Sequence, residues 1–216
     1  MLGEAAMNKI KEAKVLVVGL GGVGGYIVEA LVRAGVGTIG LCDFDVVDPT
    51  NLNRQILATT DKIGQKKVFV AKDRILLINP DCNVITYDFK LSEENIDQLD
   101  IGSWTYIADA IDDTKAKLAL IKSAHDKSSG IISCMGTGNK LDPFAFEIAT
   151  IEKTEEDPLA RSMRKQLKEM GIKGIPVLFS REKQYVRAPG CIPSISFCPS
   201  VAGLEIASYI IKEIIK

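Results

Sequence analysis

Histidine is nearly absent from this chain: among 216 residues only His125 carries an imidazole. It stands late in a helical stretch beside Lys122 and Lys127, where a surface cation suits the helix C-terminus. A dehydrogenase that needs a histidine acid or base therefore finds no convincing carrier. Paired cysteines are also missing. The five present, Cys42, Cys82, Cys134, Cys191 and Cys198, are odd in number and form no C-x-x-C pair, so neither a disulfide framework nor a zinc knuckle is expected and a reducing cytoplasm is. Cys134 and Cys191 read as small hydrophobes rather than nucleophiles. No apolar run reaches the roughly 20 residues of a membrane span. The most apolar C-terminal stretch, residues 201–215, is broken by Glu205, Lys212 and Glu213 and reads as a core helix. Residues 1–14 carry charges throughout, unlike a secretory signal. Charge of one sign is lacking too: the formal net charge is −1, which excludes nucleic-acid binding through the overall field but leaves room for a local basic face.

What is present is an ordinary globular composition, 46% hydrophobic and 25% charged, arranged as alternating strands and helices. Strands are expected at residues 15–18, 39–42, 84–87, 106–108 and 131–134, with helices at 2–12, 23–34, 65–78, 93–99 and 115–127. The first strand is continuously apolar, as a parallel strand buried on both faces should be. This is the pattern of a doubly wound, Rossmann-like α/β sheet. After residue 136 the rhythm changes. Strands are expected at 144–151, 177–180 and 185–187 around a helix at 159–170, and Trp104 is expected in the core. The division read from this is a nucleotide-binding unit over 1–135 and a substrate-facing α+β extension over 136–216, within one compact molecule.

Gly19-Leu20-Gly21-Gly22-Val23-Gly24 follows the first strand and opens a helix, the setting in which G-x-G-x-x-G is a nucleotide fingerprint. Asp43, nineteen residues after Gly24 and at the end of the second strand, can accept hydrogen bonds from a ribose. To this point NAD and ATP fit equally. The loop Asn51-Leu52-Asn53-Arg54-Gln55 then places two amides and a guanidinium beyond the second strand, which is more useful against a triphosphate. Lys67 can add a second positive charge. Asp112, just past the fourth strand, can hold Mg2+. Bland readings stand beside these: Arg54 and Lys67 as solvated cations, Asp112 or Asp113 as a helix N-cap. Between Arg161 and Arg187 eight Lys and Arg face two acids, a net of +6. Arg161, Arg164, Lys165 and Lys168 suit either a phosphate-binding face or a plain surface helix.

The ordered set Gly19-x-Gly21-Gly22-x-Gly24, Asp43-x-Asp45, Asn51-x-Asn53-Arg54-Gln55, Gly64-x-x-Lys67 and Asp112-Asp113 resembles the ATP site of the ubiquitin-activating-enzyme-like adenylating superfamily. Gly136-x-Gly138-Asn139-Lys140-Leu141-Asp142-Pro143, Asp157-Pro158-Leu159-Ala160-Arg161, Val177-x-Phe179-Ser180-x-Glu182 and Ser196-Phe197-x-Pro199-Ser200-Val201-Ala202-Gly203 are similar to its tRNA threonylcarbamoyladenosine dehydratase branch. The resemblance implies that Gly21 and Gly22 line the nucleotide turn, that Asp43 holds the ribose, and that Asn51, Asn53, Arg54 and Lys67 hold the phosphates of ATP. It implies Mg2+ on Asp112, a modified tRNA as substrate, a homodimer, and association with sulfur-transfer proteins. It also implies the reaction: adenylation of the threonine carboxylate, followed by cyclisation. The competing member of the superfamily is an adenylyltransferase acting on the C-terminal glycine of a ubiquitin-like sulfur carrier. Such enzymes commonly carry paired C-x-x-C motifs that are missing here. Related enzymes also carry an arginine ahead of the first helix, whereas no arginine precedes Arg33. A tRNA-binding or nucleotide-sensing module without turnover is therefore a further expectation to separate from the enzyme.

Overall fold

The computed structural model describes residues 2–183 and 192–216; the strand expected at 185–187, Arg187 and Cys191 lie outside the described residues. Its elements in chain order are α1 (Glu4–Glu12), β1 (Lys14–Val18), α2 (Gly24–Arg33), β2 (Thr38–Cys42), α3 (Lys67–Ile78), β3 (Asn83–Tyr87), β4 (Tyr106–Asp109), α4 (Thr114–Asp126), β5 (Gly130–Cys134), β6 (Phe146–Thr150), α5 (Pro158–Glu169), β7 (Pro176–Ser180) and α6 (Phe197–Ile215). The described strands form one seven-stranded sheet in the order β3-β2-β1-β4-β5-β7-β6, parallel except for the β6–β7 pair. A Rossmann-like, mainly parallel α/β sheet is thus what the alternation in the sequence becomes.

Alternate residues of β1 point into two separate apolar layers. Val15 and Val17 join Ile27, Leu31, Ala202 and Ile206 on one face, while Leu16 and Val18 join Leu120, Ile121, Met163 and Leu167 on the other. A strand buried on both faces has to be apolar at every position, which is why its sequence shows no alternation. α2 and α6 cover the first face at very close range: a methyl group built on Gly203 would lie 2.5 Å from the Val23 carbonyl oxygen. α6 is the core helix the sequence suggested, and no helix among the described residues is long and apolar enough to cross a membrane. β7 inserts beside β5 and β6 pairs back antiparallel on β7, so the segment after residue 136 extends the same sheet while α5 covers its second face.

Two expected elements differ from the structure. The helix at 93–99 is replaced by two short 3-10 turns, Ile96–Leu99 and Ile101–Ser103. Asn95 explains this. Its side chain accepts from Ser92 N at 2.8 Å and donates to Lys90 O at 2.9 Å, which gives the backbone an alternative to helical bonding. Asp100 then takes a left-handed φ of 43°. The strand expected from 144 begins at Phe146, because Asp142 accepts from Phe144 N and caps a 3-10 turn over Pro143–Ala145. Trp104 is buried, with its indole N–H donating to Leu99 O at 2.7 Å. His125 is exposed near the end of α4.

Candidate nucleotide site

The site begins where β1 stops. Val18 pairs with Cys42 of β2 on one side and Asp109 of β4 on the other, so three loops leave the sheet side by side. Between β1 and β4 the strand order reverses, the place where open α/β sheets bind ligands. The chain turns here at Gly19, whose φ of 89° is a left-handed conformation. Packing adds a second demand for glycine. A methyl on Gly19 would lie 2.6 Å from Ala110 O, and one on Gly24 would lie 1.7 Å from Gly19 O. Gly21, by contrast, looks onto open space, with nothing nearer than the Gln55 amide at 3.9 Å. α2 starts without a side-chain cap; the N–H groups of Gly25 and Tyr26 bond the Gly21 and Val23 carbonyls at 3.2 and 3.1 Å, so the N–H groups offered to an anion are those of the turn itself, Gly21 to Gly24.

Asp43 ties this turn to the next loop. Its Oδ2 accepts from Leu20 N at 2.6 Å and its Oδ1 from Asp45 N at 2.8 Å, and the residue is only 9% exposed. Asp45 in turn receives Lys67: the Nζ lies 3.0 Å from Asp45 Oδ2 and the backbone N donates to Asp45 O at 3.0 Å. Lys67 is buried at the first position of α3, while its neighbour Lys66 turns outward to Asp88 at 3.0 Å. Of the two adjacent lysines, the structure therefore brings Lys67 into the loop cluster.

The 48–55 segment is built by its own side chains. Asp48 Oδ1 accepts from Thr50 N at 2.8 Å, and Asn51 Oδ1 accepts from Asp48 N at 3.1 Å, a reciprocal capping box around Pro49–Asn51. The Thr50 hydroxyl, which also donates to Asp48 Oδ1 at 2.6 Å, and then the Thr50 backbone N–H hold the Asp48 carboxyl below its usual range. Asn51 is buried and its amide oxygen serves the turn. Asn53 donates through Nδ2 to Ser194 O at 3.0 Å, linking this loop to the approach to α6. Arg54 donates through Nη1 to Thr50 O and Asn53 Oδ1, both at 2.8 Å, and has no acidic partner among the described residues. Its stem lies over the glycine turn, since a methyl on Gly22 would be 3.5 Å from Arg54 Cγ. A half-buried guanidinium that is oriented but not neutralised is suited to an incoming anion.

The β4 loop separates the two aspartates. Asp113 is the N-cap of α4, accepting from Lys115 N at 2.9 Å and Ala116 N at 3.0 Å, bonds that lower its pKa. Asp112 is exposed, with no hydrogen-bond or ion-pair partner among the described residues. The turn leading to it packs on the glycine loop, where Ile111 N would lie 3.2 Å from a methyl on Gly19. Glycine turn and Asp112 loop therefore share a wall. No hydrogen bond or ion pair joins Asp112 to Arg54 or Lys67 among the described residues.

Below that turn lies a cluster that reading the sequence missed. Asp109, Lys117 and Ser133 are each 0% exposed. Lys117 Nζ donates to Asp109 Oδ2 at 2.8 Å, Ser133 Oγ at 3.1 Å and Cys134 O at 2.9 Å. A signal was there: Lys117 occupies the same helical stripe as Leu120, Ile121 and Ala124, a cation in an apolar row. Cys134 is buried beside it, and burial pushes its thiol up to about 12, which removes it as a nucleophile.

On α5, Arg161, Lys165 and Lys168 are exposed, without ion pairs among the described residues. Arg164 differs. Its Nη1 donates to Thr154 O at 2.6 Å and Thr154 Oγ1 at 2.7 Å, so it anchors the turn before the helix. The structure thus separates the four basic residues into three outward charges and one local tie.

With this geometry established, comparison with known proteins is specific. Over 233 aligned residues the chain is 38% identical to the tRNA threonylcarbamoyladenosine dehydratase of Bacillus subtilis strain 168, covering 100% of this chain and 92% of that protein. It is 37% identical over 190 residues to the enzyme of that name from Escherichia coli K12, covering 84% of this chain and 71% of the relative. The crystal structure of E. coli tRNA N6-threonylcarbamoyladenosine dehydratase in complex with ATP superposes with a TM-score of 0.92 at 34% identity, covering 98% of this chain and 89% of that one. The sequence profile of the ThiF family matches residues 1–216, from α1 through the glycine turn to the end of α6, and the chain belongs to that family.

Proposed function

We propose that this protein is an ATP-dependent enzyme that adenylates the threonine carboxylate of threonylcarbamoyladenosine in tRNA and closes it to the cyclic form. The observation that carries the reading is the joint presentation, at the sheet's switch point, of an open glycine turn, a helix N-terminus without a side-chain cap and an Arg54 with no acidic partner among the described residues. Relatives of the same name at 37–38% identity support the substrate, and the ATP complex of the E. coli enzyme supports the nucleotide.

In this reading Gly21 and Gly22 let the backbone approach the nucleotide. Asp43, already clamping Leu20 and Asp45, presents its remaining lone pairs to the ribose. Asn51, Asn53, Arg54 and Lys67 hold the phosphate region, Asn51 chiefly by fixing the turn that aims Arg54. The carboxylate oxygen of the substrate attacks the α-phosphorus, the bond to pyrophosphate breaks, and an acyl adenylate results. The neighbouring ureido group then attacks the acyl carbon, loses its proton to solvent and expels AMP. No protein nucleophile is needed, in keeping with the inert Cys134 thiol. The burden on the protein is positioning and charge stabilisation.

Mg2+ fits this donor set as a companion of ATP. Among the described residues no group of three or more His, Cys, Asp or Glu forms a metal cage, while Asp112 offers one unengaged carboxylate. Mg2+ is a cation that takes one or two carboxylates and completes its shell with phosphate oxygens and water. Bound there, it would neutralise charge on the phosphates. The basic face of α5, through Arg161, Lys165 and Lys168, is assigned to the tRNA backbone. Family resemblance supports a cytoplasmic homodimer that meets sulfur-transfer proteins, with residues 1–135 handling nucleotide and 136–216 facing the substrate.

AMP release measured with threonylcarbamoyladenosine-containing tRNA, and separately with a small protein ending in Gly-Gly, tests the assignment. Release is expected with the tRNA only. Release with the small protein alone would transfer the chain to the sulfur-carrier adenylyltransferases, and tight ATP binding without AMP from either would leave a binding module.

A further inference from the structure

We infer that Lys117 is a positioning residue for Asp112: its buried ammonium holds Asp109, and through Asp109 the turn that places the Asp112 carboxylate. This rests on the reading of Asp112 as the Mg2+ holder. Lys117 lies on α4, its side chain 0% exposed, and all three of its ammonium protons are used, on Asp109 Oδ2, Ser133 Oγ and the Cys134 carbonyl. Ser133 Oγ also donates to Asp109 Oδ2 at 2.5 Å. The other oxygen, Oδ1, accepts from Ile111 N at 3.1 Å. Asp109 is therefore a hub that fixes β5, α4 and the first bend of the loop to Asp112.

Stability does not account for this knot. Burying both charges is costly, and an apolar pair of like volume in such a place is often as stable or more so. The surroundings would accept one, since Ile107, Leu120, Ile121 and Ile131 form the same layer. What an apolar pair cannot do is bond Ile111 N and hold the bend. α4 pins the loop at both ends: Lys117 fixes Asp109, and the helix N-terminus receives the Asp113 cap at 2.9 and 3.0 Å. Residues 110–112 span the gap between two fixed posts, with Ala110 wedged against Gly19. Asp112 is the member of that span that faces solvent. A loosened bend would let it wander relative to the glycine turn, and outer groups that orient a ligand typically govern about 10- to 100-fold of metal affinity.

The test compares nucleotide affinity with and without metal. Lys117→Met alone would orphan a buried carboxylate and could unfold the protein, so it is paired with Asp109→Leu, and thermal unfolding verifies the fold. Calorimetric binding of the α,β-methylene analogue of ATP is measured in EDTA and in Mg2+, for the parent, the double variant and Asp112→Ala. We expect the double variant to bind as the parent does in EDTA but to lose about tenfold of the enhancement Mg2+ confers, with Asp112→Ala losing all of it. Full enhancement in the double variant, or equal weakening in EDTA and Mg2+, overturns the positioning role while Asp112 keeps its assignment. Full enhancement in Asp112→Ala overturns the Asp112 assignment itself, and the inference with it.

Discussion

The rim of the sheet and the outer face of α5 both carry charge, but they treat it differently. At the rim nearly every charge has a fixed partner: Lys67 holds Asp45, Asp43 accepts two backbone N–H groups, and Lys117 is locked to Asp109 in the dry interior. On α5, Arg161, Lys165 and Lys168 stand in solvent without ion pairs among the described residues, while Arg164 is tied to Thr154. The first arrangement suits chemistry, where donors must be oriented before the reaction to lower its barrier. The second suits a field, where a long polyanion is gathered by many loosely placed cations. Arg54 and Asp112 are exceptions at the rim: neither has an ionic partner among the described residues, and there a ligand would supply one.

The contrast breaks most visibly at those two residues. Arg54→Ala and Asp112→Ala should each reduce AMP release by about 10²- to 10³-fold, the range for removing one preorganised donor, with unfolding temperatures unchanged. A loss of under tenfold in both would erase the distinction. Arg164→Ala should behave as a structural change. Losing its two bonds to Thr154 should lower stability by about 1.5–3 kcal/mol, as for hydrogen bonds made by a charged group, with tRNA affinity at a temperature well below unfolding nearly unchanged. Charge reversal at Arg161, Lys165 and Lys168 should do the converse. Filter-binding titrations over a range of salt should show weaker tRNA binding and a salt slope shallower by about 0.7–0.9 per lost phosphate contact, with ATP affinity intact; an unchanged slope would make α5 a plain surface helix. Smallest of all, Cys134→Ala should leave AMP release within about twofold, since a buried thiol held near 12 acts as a small hydrophobe.

The same contrast explains which parts could be read from the sequence. β1, the glycine turn and Asp43 are local in sequence and physically forced: a doubly buried strand must be apolar and the turn must accept a positive φ, so their residue types identify them. β6 and β7 are not local. Nothing in Pro176–Ser180 says that it inserts beside β5 rather than packing as a separate layer, because that depends on pairing across more than forty residues. Asn95 redirected a helical pattern through bonds to Ser92 and Lys90 that periodicity does not encode. Lys117 was hidden by the habit of assigning lysine to the surface; only its place in the Leu120, Ile121, Ala124 stripe betrays it. Likewise, Asp112 and Asp113 are indistinguishable as letters. Cap geometry separates them, with Asp113 engaged by Lys115 N and Ala116 N and Asp112 without a partner among the described residues.

Mass spectrometry of nucleosides from tRNA incubated with the protein, ATP and Mg2+ addresses the proposed chemistry most directly. The account predicts that threonylcarbamoyladenosine loses the mass of one water, with AMP formed in equal amount and neither product seen with the Arg54→Ala protein. Unaltered threonylcarbamoyladenosine in a tRNA that the protein binds together with ATP would contradict it.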